Sequence, residues 1–321
     1  MSPRPMSTDT SLTGAELTDR LQRLGMLPTT GTPDDAVLRD GIAAFQRSRG
    51  LDVTGEVDPV TLGALDEATY SFGDRPLYLT SPMLRGEDVS WLQLRLGSLG
   101  FDAGRVDGIF GPNTQQALCE FQRNVDLVVD GVCARDTVAQ LNRLSSRMGN
   151  LSVAGLRERE SLSRRTTDLS GLHIAVVALG DDPQLTGAIA SSLSDSSASV
   201  SVQTAHDWSD LAAYTNNVRA DVCIAIELVY ESVLDLAYFG TDGFESHAGR
   251  ALAETLLRQL PQNPAWGPCV AQAMRLPILR ETRCPTVRLR LGPSEDVTEQ
   301  SSLLVAAVGR SLRLWVSRDH D

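Results

Sequence analysis

Lysine is absent from this chain: all 29 basic side chains among its 321 residues are arginines, facing 41 acidic ones for a formal net charge of −12. Polyanions repel such a chain beyond short range, which argues against nucleic acid and anionic membrane surfaces as partners. Also missing is any apolar run near the ~18 residues of a membrane span. With 42% hydrophobic and 22% charged residues, the balance is that of a globular protein of two or three domains. The segment Met1–Thr10 lacks the apolar centre of a secretory signal, so the expected compartment is the cytoplasm. Cys119, Cys133, Cys223, Cys269 and Cys284 form no CxxC pair and are odd in number. They read as reduced, buried thiols rather than a disulfide framework or a zinc site.

What is present is an internal repeat. Leu21-Gln-Arg-Leu-Gly25 is echoed by Leu96-Gly-Ser-Leu-Gly100, and Ala44-Phe-Gln-Arg47 by Glu120-Phe-Gln-Arg123. Val53-Thr-Gly55 is matched by Val129-Asp-Gly131, and Thr61 and Leu65 by Thr137 and Leu141. The offset stays between 75 residues (Leu21 to Leu96) and 76 (Phe45 to Phe121), which marks two copies of one unit, 14–70 and 84–146, behind a disordered 1–13. Each copy predicts three short helices. In the second, Val89, Leu92, Leu96 and Leu99 recur at helical spacing before Gly100, and the turn Val106-Asp-Gly-Ile-Phe-Gly111 leads into a helix opened by Pro112.

This succession of a helix ending in LG, a DGxFGxxT turn, an AxxxFQ helix and a second DG resembles the bacterial peptidoglycan-binding domain. The first copy departs from it, with Pro33-Asp-Asp-Ala36 where the DGxFG turn belongs. Two readings stand for the shared residues. Gly108, Gly111 and Gly131 serve turn geometry, Phe45 and Phe121 the core, and Thr114 a helix start. Alternatively Asp107, Phe110, Asn113 and Gln122 present the polar and aromatic groups that a sugar or muropeptide would need.

Residues 147–170, rich in Arg, Glu and Ser, read as a linker, with Arg157-Glu-Arg-Glu160 as a solvated turn and Arg164-Arg-Thr-Thr167 as a kinase-type sequence. From 171 to 321 strand and helix alternate: strands at 172–179, 199–202, 221–226 and 286–291, helices at 184–194, 207–218, 245–260 and 301–316. This predicts an α/β domain, a mixed sheet flanked by helices, behind two all-α three-helix units. Tyr70, Phe72, Tyr78, Tyr230, Tyr238 and Phe239 are aromatics available to a partner, with core packing as the competing role.

Two such repeats before an α/β domain resemble zinc-dependent N-acetylmuramoyl-L-alanine amidases. Ala68-Thr-Tyr70, Pro76-Leu-Tyr78, Phe239-Gly240, Gly249-Arg250 and Leu279-Arg-Glu-Thr-Arg-Cys-Pro-Thr-Val287 resemble, more narrowly, the actinobacterial CwlM-type proteins. The amidase resemblance implies zinc held by His, Glu and His, with a further Glu as general base. At the matching positions stand Gly180 or Asp181 for the first His, Asp182-Pro-Gln184 for the Glu ligand, Glu227 for the second His and Arg290 for the base. A guanidinium neither binds zinc nor accepts a proton. The expectation is therefore a chain that is not an enzyme, a pseudo-amidase without zinc or other cofactor, in which Glu227 and Arg290 pair across the vacated site. His173, His206 and His247 are the remaining imidazoles for a rebuilt site.

The CwlM-type resemblance implies a cytoplasmic regulator of peptidoglycan precursor synthesis that binds and activates MurA, the UDP-N-acetylglucosamine enolpyruvyl transferase. A serine/threonine kinase and peptidoglycan precursors are further implied partners. Family regulation through phosphothreonines in a tail beyond the amidase-like domain has no counterpart before Asp321, so Thr8, Thr10, Thr13, Thr166 and Thr167 are the candidate sites. Two other readings remain: a peptidoglycan- or precursor-binding protein without regulatory output, and an active amidase with an unrecognised site.

Overall fold

The computed structural model describes residues 13–29, 31, 33–145, 168–180, 183–241, 244–261 and 263–317. Thr8, Thr10, Arg164 to Thr167, Asp181 and Asp182 lie outside the described residues, as do the expected N-terminal segment up to residue 12 and the expected linker up to residue 167. The chain forms two compact units, 1–70 and 71–321.

The first unit holds α1 (Gly14–Arg23), α2 (Asp35–Ser48) and α3 (Pro59–Glu67). Each helix starts on a side-chain cap, which satisfies backbone N–H groups that have no intrahelical acceptor. Thr13 and Glu16 form a capping box on α1, Asp34 accepts from Val37 N at 2.8 Å, and Asp58 accepts from Thr61 N at 2.6 Å. The sequence Pro33-Asp-Asp-Ala36 is thus a helix start. Leu21, Ile42, Phe45 and Leu65 close a small core.

The second unit begins with the matching helices α4 (Glu87–Ser98), α5 (Pro112–Asn124) and α6 (Arg135–Ser145) around Leu92, Leu96, Phe110, Leu118, Phe121 and Leu141. It continues through β1 (His173–Leu179), α7 (Pro183–Ser194), β2 (Ser199–Ala205), α8 (Trp208–Asn217), β3 (Val222–Leu228), β4 (Val233–Thr241), β5 (Phe244–Glu245) and α9 (His247–Gln259). After a single 3-10 turn come β6 (Ala271–Met274), α10 (Pro277–Glu281), β7 (Thr286–Gly292), α11 (Ser294–Glu299) and α12 (Ser301–Ser317).

The sheet order is β2-β1-β3-β7-β4-β5, with β6 also on β4. Strands β2, β1, β3 and β7 are parallel, β4 runs against β7, and β6 runs parallel to β4, so the sheet is mixed. Both faces of β1 and β3 are covered, which is why they read as continuous apolar runs. One face packs Ile174, Val176, Ile224, Ile226 and Leu289 against α7, α9 and α12. The other carries Ala175, Cys223, Ala225 and Arg288 toward α8 and α10. Strand β4, which periodicity did not announce, buries Tyr238 and Phe239 at 6% and 1% exposure, so these two aromatics are core residues, contrary to an interface role. Phe72 stacks on Trp91 with centroids 4.0 Å apart, whereas Tyr70, Tyr78 and Tyr230 are exposed. Cys133, Cys223 and Cys284 are buried and all five thiols are free. Burial pushes Cys133 up to about 12 and raises Cys223 well above the usual thiol range.

Candidate functional site

The parallel strands β1, β3 and β7 deliver Gly180, Glu227 and Arg290 to one edge of the sheet. Glu227 and Arg290 are register partners, and side chains two apart along a strand share a face, so Arg288 joins them. The expected Glu227–Arg290 pair does not form. Arg288, fully buried, donates from Nη1 to Glu227 Oε2 at 2.9 Å and approaches Met274 Sδ with Nη2 at 3.5 Å. Arg290 instead lies 3.7 Å from Asp235 and 3.8 Å from Glu231. The antiparallel register explains the exchange. It sets Asp235 opposite Arg290, while the buried guanidinium of Arg288 requires a counter-charge that Glu227 alone reaches from β3.

Gly180 closes β1 at φ 86° with its N–H on Ala205 O at 2.8 Å and offers no side chain. The described residues at this edge do not fit a zinc ion, because two guanidinium groups already engage the carboxylates. His173 is held 2.7 Å from Ser201 at the opposite edge, His206 follows β2, and His247 opens α9. Among the described residues no group of three or more His, Cys, Asp or Glu is placed to hold a metal.

The repeats are built on a buried glutamine used three times. Gln122 accepts from Gly131 N at 3.0 Å and donates to Val132 O at 3.1 Å, Thr137 Oγ1 at 3.4 Å and Asp130 Oδ1 at 2.8 Å. Gln46 makes the same set with Gly55 N, Glu56 O, Thr61 and Thr54. Gln93 repeats it with Gly108 N, Ile109 O, Thr114 and Asp107. In each case a helix-borne carboxamide satisfies a turn that a left-handed glycine makes possible, at φ 68°, 71° and 75° respectively. This accounts for the DG and Thr signals of the sequence.

Of the four residues weighed for glycan contact, Phe110 and Gln122 are therefore corrected: they lie at 0% and 1% exposure inside the core, closed to a ligand. Asp107 and Asn113 line a cleft of about 730 Å³ between the second repeat and the segment from α10 into β7. Burial raises the pKa of Asp107, its bonds from Gln93 and Ile109 N opposing.

That cleft exists because the second repeat docks on the sheet domain through arginines that no sequence motif singled out. Arg85 pairs with Glu281, which Arg280 also reaches at 3.2 Å, and Arg275 lies 3.6 Å from Glu87. Arg105 donates to Thr282 O, and to Leu279 O at 3.3 Å, with its guanidinium 4.7 Å over the ring of Phe239. Burial alone would raise Glu281, but Arg85 and Arg280 outweigh it and hold the carboxyl below its usual range.

Comparison with known proteins places these features in a family. A family profile described as a peptidoglycan binding domain matches residues 15–65 and 85–141. N-acetylmuramoyl-L-alanine amidase CwlM of Mycobacterium tuberculosis is 33% identical, over 88% of this chain and 80% of its own length. N-acetylmuramoyl-L-alanine amidase CwlL of Bacillus licheniformis is 31% identical over 32% of this chain and 34% of its own. Among solved structures, the amidase Ami1 of Mycobacterium smegmatis aligns over 46% of this chain and 98% of its own, at 10% identity and TM-score 0.37. The expectation of a chain that is not an enzyme is thereby corrected: relatives named as N-acetylmuramoyl-L-alanine amidases point to an amidase. No described helix is long and apolar enough to cross a membrane.

Proposed function

Because the chain belongs to the family of the mycobacterial amidase CwlM, we propose that it serves peptidoglycan metabolism and regulates precursor supply by binding a MurA-type enolpyruvyl transferase in the cytoplasm. The observation that carries the reading is the length of the likeness, which runs through both repeats and the sheet domain rather than through the repeats alone. A regulator must present a fixed surface, and the arginine contacts that fasten the second repeat to α10 supply one. A net charge of −12 favours a partner with a basic face.

Phosphorylation by a serine/threonine kinase is the proposed control. Of the candidate threonines, Thr13 is the one described, at the N-cap of α1, where a phosphate would meet the positive end of the helix. Sedimentation velocity of the chain mixed with the transferase, before and after kinase treatment, tests the reading. A complex in either state supports it, and two independent boundaries in both states refute it.

A further inference from the structure

The cleft between the second repeat and the α10–β7 connection combines two modules, and its charged groups are unequally committed. Its three acids are engaged inside the protein: Asp107 accepts from Gln93 Nε2 at 2.8 Å and Ile109 N at 2.9 Å, Asp102 accepts from Gly104 N at 3.2 Å, and Glu281 is held by Arg85 and Arg280. Arg283 is different. Its backbone N–H is pinned on Asn216 Oδ1 at 2.8 Å, while its exposed guanidinium has no hydrogen bond or ion pair among the described residues. The carboxamide of Asn113, across the cleft on the second repeat, and the hydroxyl of Ser209 on α8 are uncommitted in the same sense. A backbone held in place with an unspent cation above it, with one neutral donor from the other module and one from α8 on the same cleft, is prepared for an anion.

We propose that this composite cleft binds a carboxylate- or phosphate-bearing small molecule, with Arg283 meeting the anionic group and Asn113 and Ser209 orienting the rest. The volume of about 730 Å³ suits a ligand the size of a sugar carrying a short peptide or a nucleotide. The choice of ligand rests on the peptidoglycan reading above: the anionic group belongs either to the peptide of a muropeptide or to the diphosphate of a nucleotide-linked sugar precursor. The site lies apart from Glu227 and Arg290 and requires both modules, since the repeat by itself supplies no counterpart to Arg283.

Isothermal titration calorimetry on the full chain, with a disaccharide-peptide in one arm and a nucleotide-diphosphate-linked sugar in the other, tests it and separates the two sources. The expected result is saturable binding in one arm, weakened at least about tenfold by Arg283→Ala and also by Asn113→Ala. Arg250→Ala, which removes an exposed arginine on α9, should leave it unchanged. Arg283 is exposed, so its variant should melt with the parent protein and a loss of binding will not reflect unfolding. Equal affinity in the parent and in Arg283→Ala, or no heat in either arm, overturns the site. The regulatory reading fails on a different instrument, the sedimentation of the transferase mixture, so the two failures are distinguishable.

Discussion

Replacing Gln122 by Leu keeps the apolar volume of the side chain and deletes a carboxamide that makes four hydrogen bonds. Asp130 has water available, and Val132 O still accepts from Thr137 Oγ1 at 3.4 Å, so these two acceptors are compensated. Gly131 N–H is buried and has no substitute. An orphaned buried donor costs about 1–3 kcal/mol and each lost buried bond about 1 kcal/mol, which sums to about 2–4 kcal/mol of destabilisation. In a unit of this size that lowers the melting temperature by about 4–16 °C. Calorimetric scans report the shift, and hydrogen exchange over 126–141 shows where protection is lost. Gln116→Leu is the control, since Gln116 is exposed and bonds only to Glu120 at 3.0 Å; its effect should stay within about 0.5 kcal/mol. If Gln122→Leu melts with the control, the glutamine is not what secures the turn and the account of the DG motif is wrong.

Glu227→Gln should destabilise the sheet domain by about 1–3 kcal/mol, because it removes the charge that accepts from the buried guanidinium of Arg288; a denaturant midpoint equal to that of the parent would contradict this. Arg290→Glu gathers a third carboxylate beside Glu231 and Asp235 and should lower stability, more at low salt than at high. The depressed pKa of Glu281 means that its contribution is full above the ordinary glutamate value of about 4.3 and is lost as pH falls through the folded value. Arg85→Ala should therefore flatten the acid limb of a stability–pH curve, and an unchanged limb would refute the assignment. Metal analysis of the purified chain should find zinc well below one ion per chain at the strand edge, given the guanidinium groups there; stoichiometric zinc lost on Glu227→Gln would refute that reading.

The repeat was legible because Leu, Gly, Phe-Gln and Thr recur at a fixed offset, and β1 and β3 because strands covered on both faces read as apolar runs. Strand β4 escaped because Asp235 and Gly240 interrupt its pattern, although Asp235 faces Arg290 and Gly240 packs close to Ala273. The glutamine's role was hidden for a related reason: Phe45-Gln46 and Phe121-Gln122 announce a core residue, whereas the acceptors of the amide sit 8 to 15 residues further on. Pairing of Glu227 with Arg288 rather than Arg290 depends on which neighbour β4 presents, which a single strand's sequence does not contain. The docking arginines Arg85 and Arg105 are separated by more than 170 residues from their partners, beyond any local signal.

The proposed control of precursor supply is tested most directly by the initial rate of the enolpyruvyl transferase from the same organism. The rate is measured with and without the full chain, before and after treatment with a serine/threonine kinase. A rate that rises on adding the chain in one of the two states is the result predicted here; an unchanged rate in both states would contradict it.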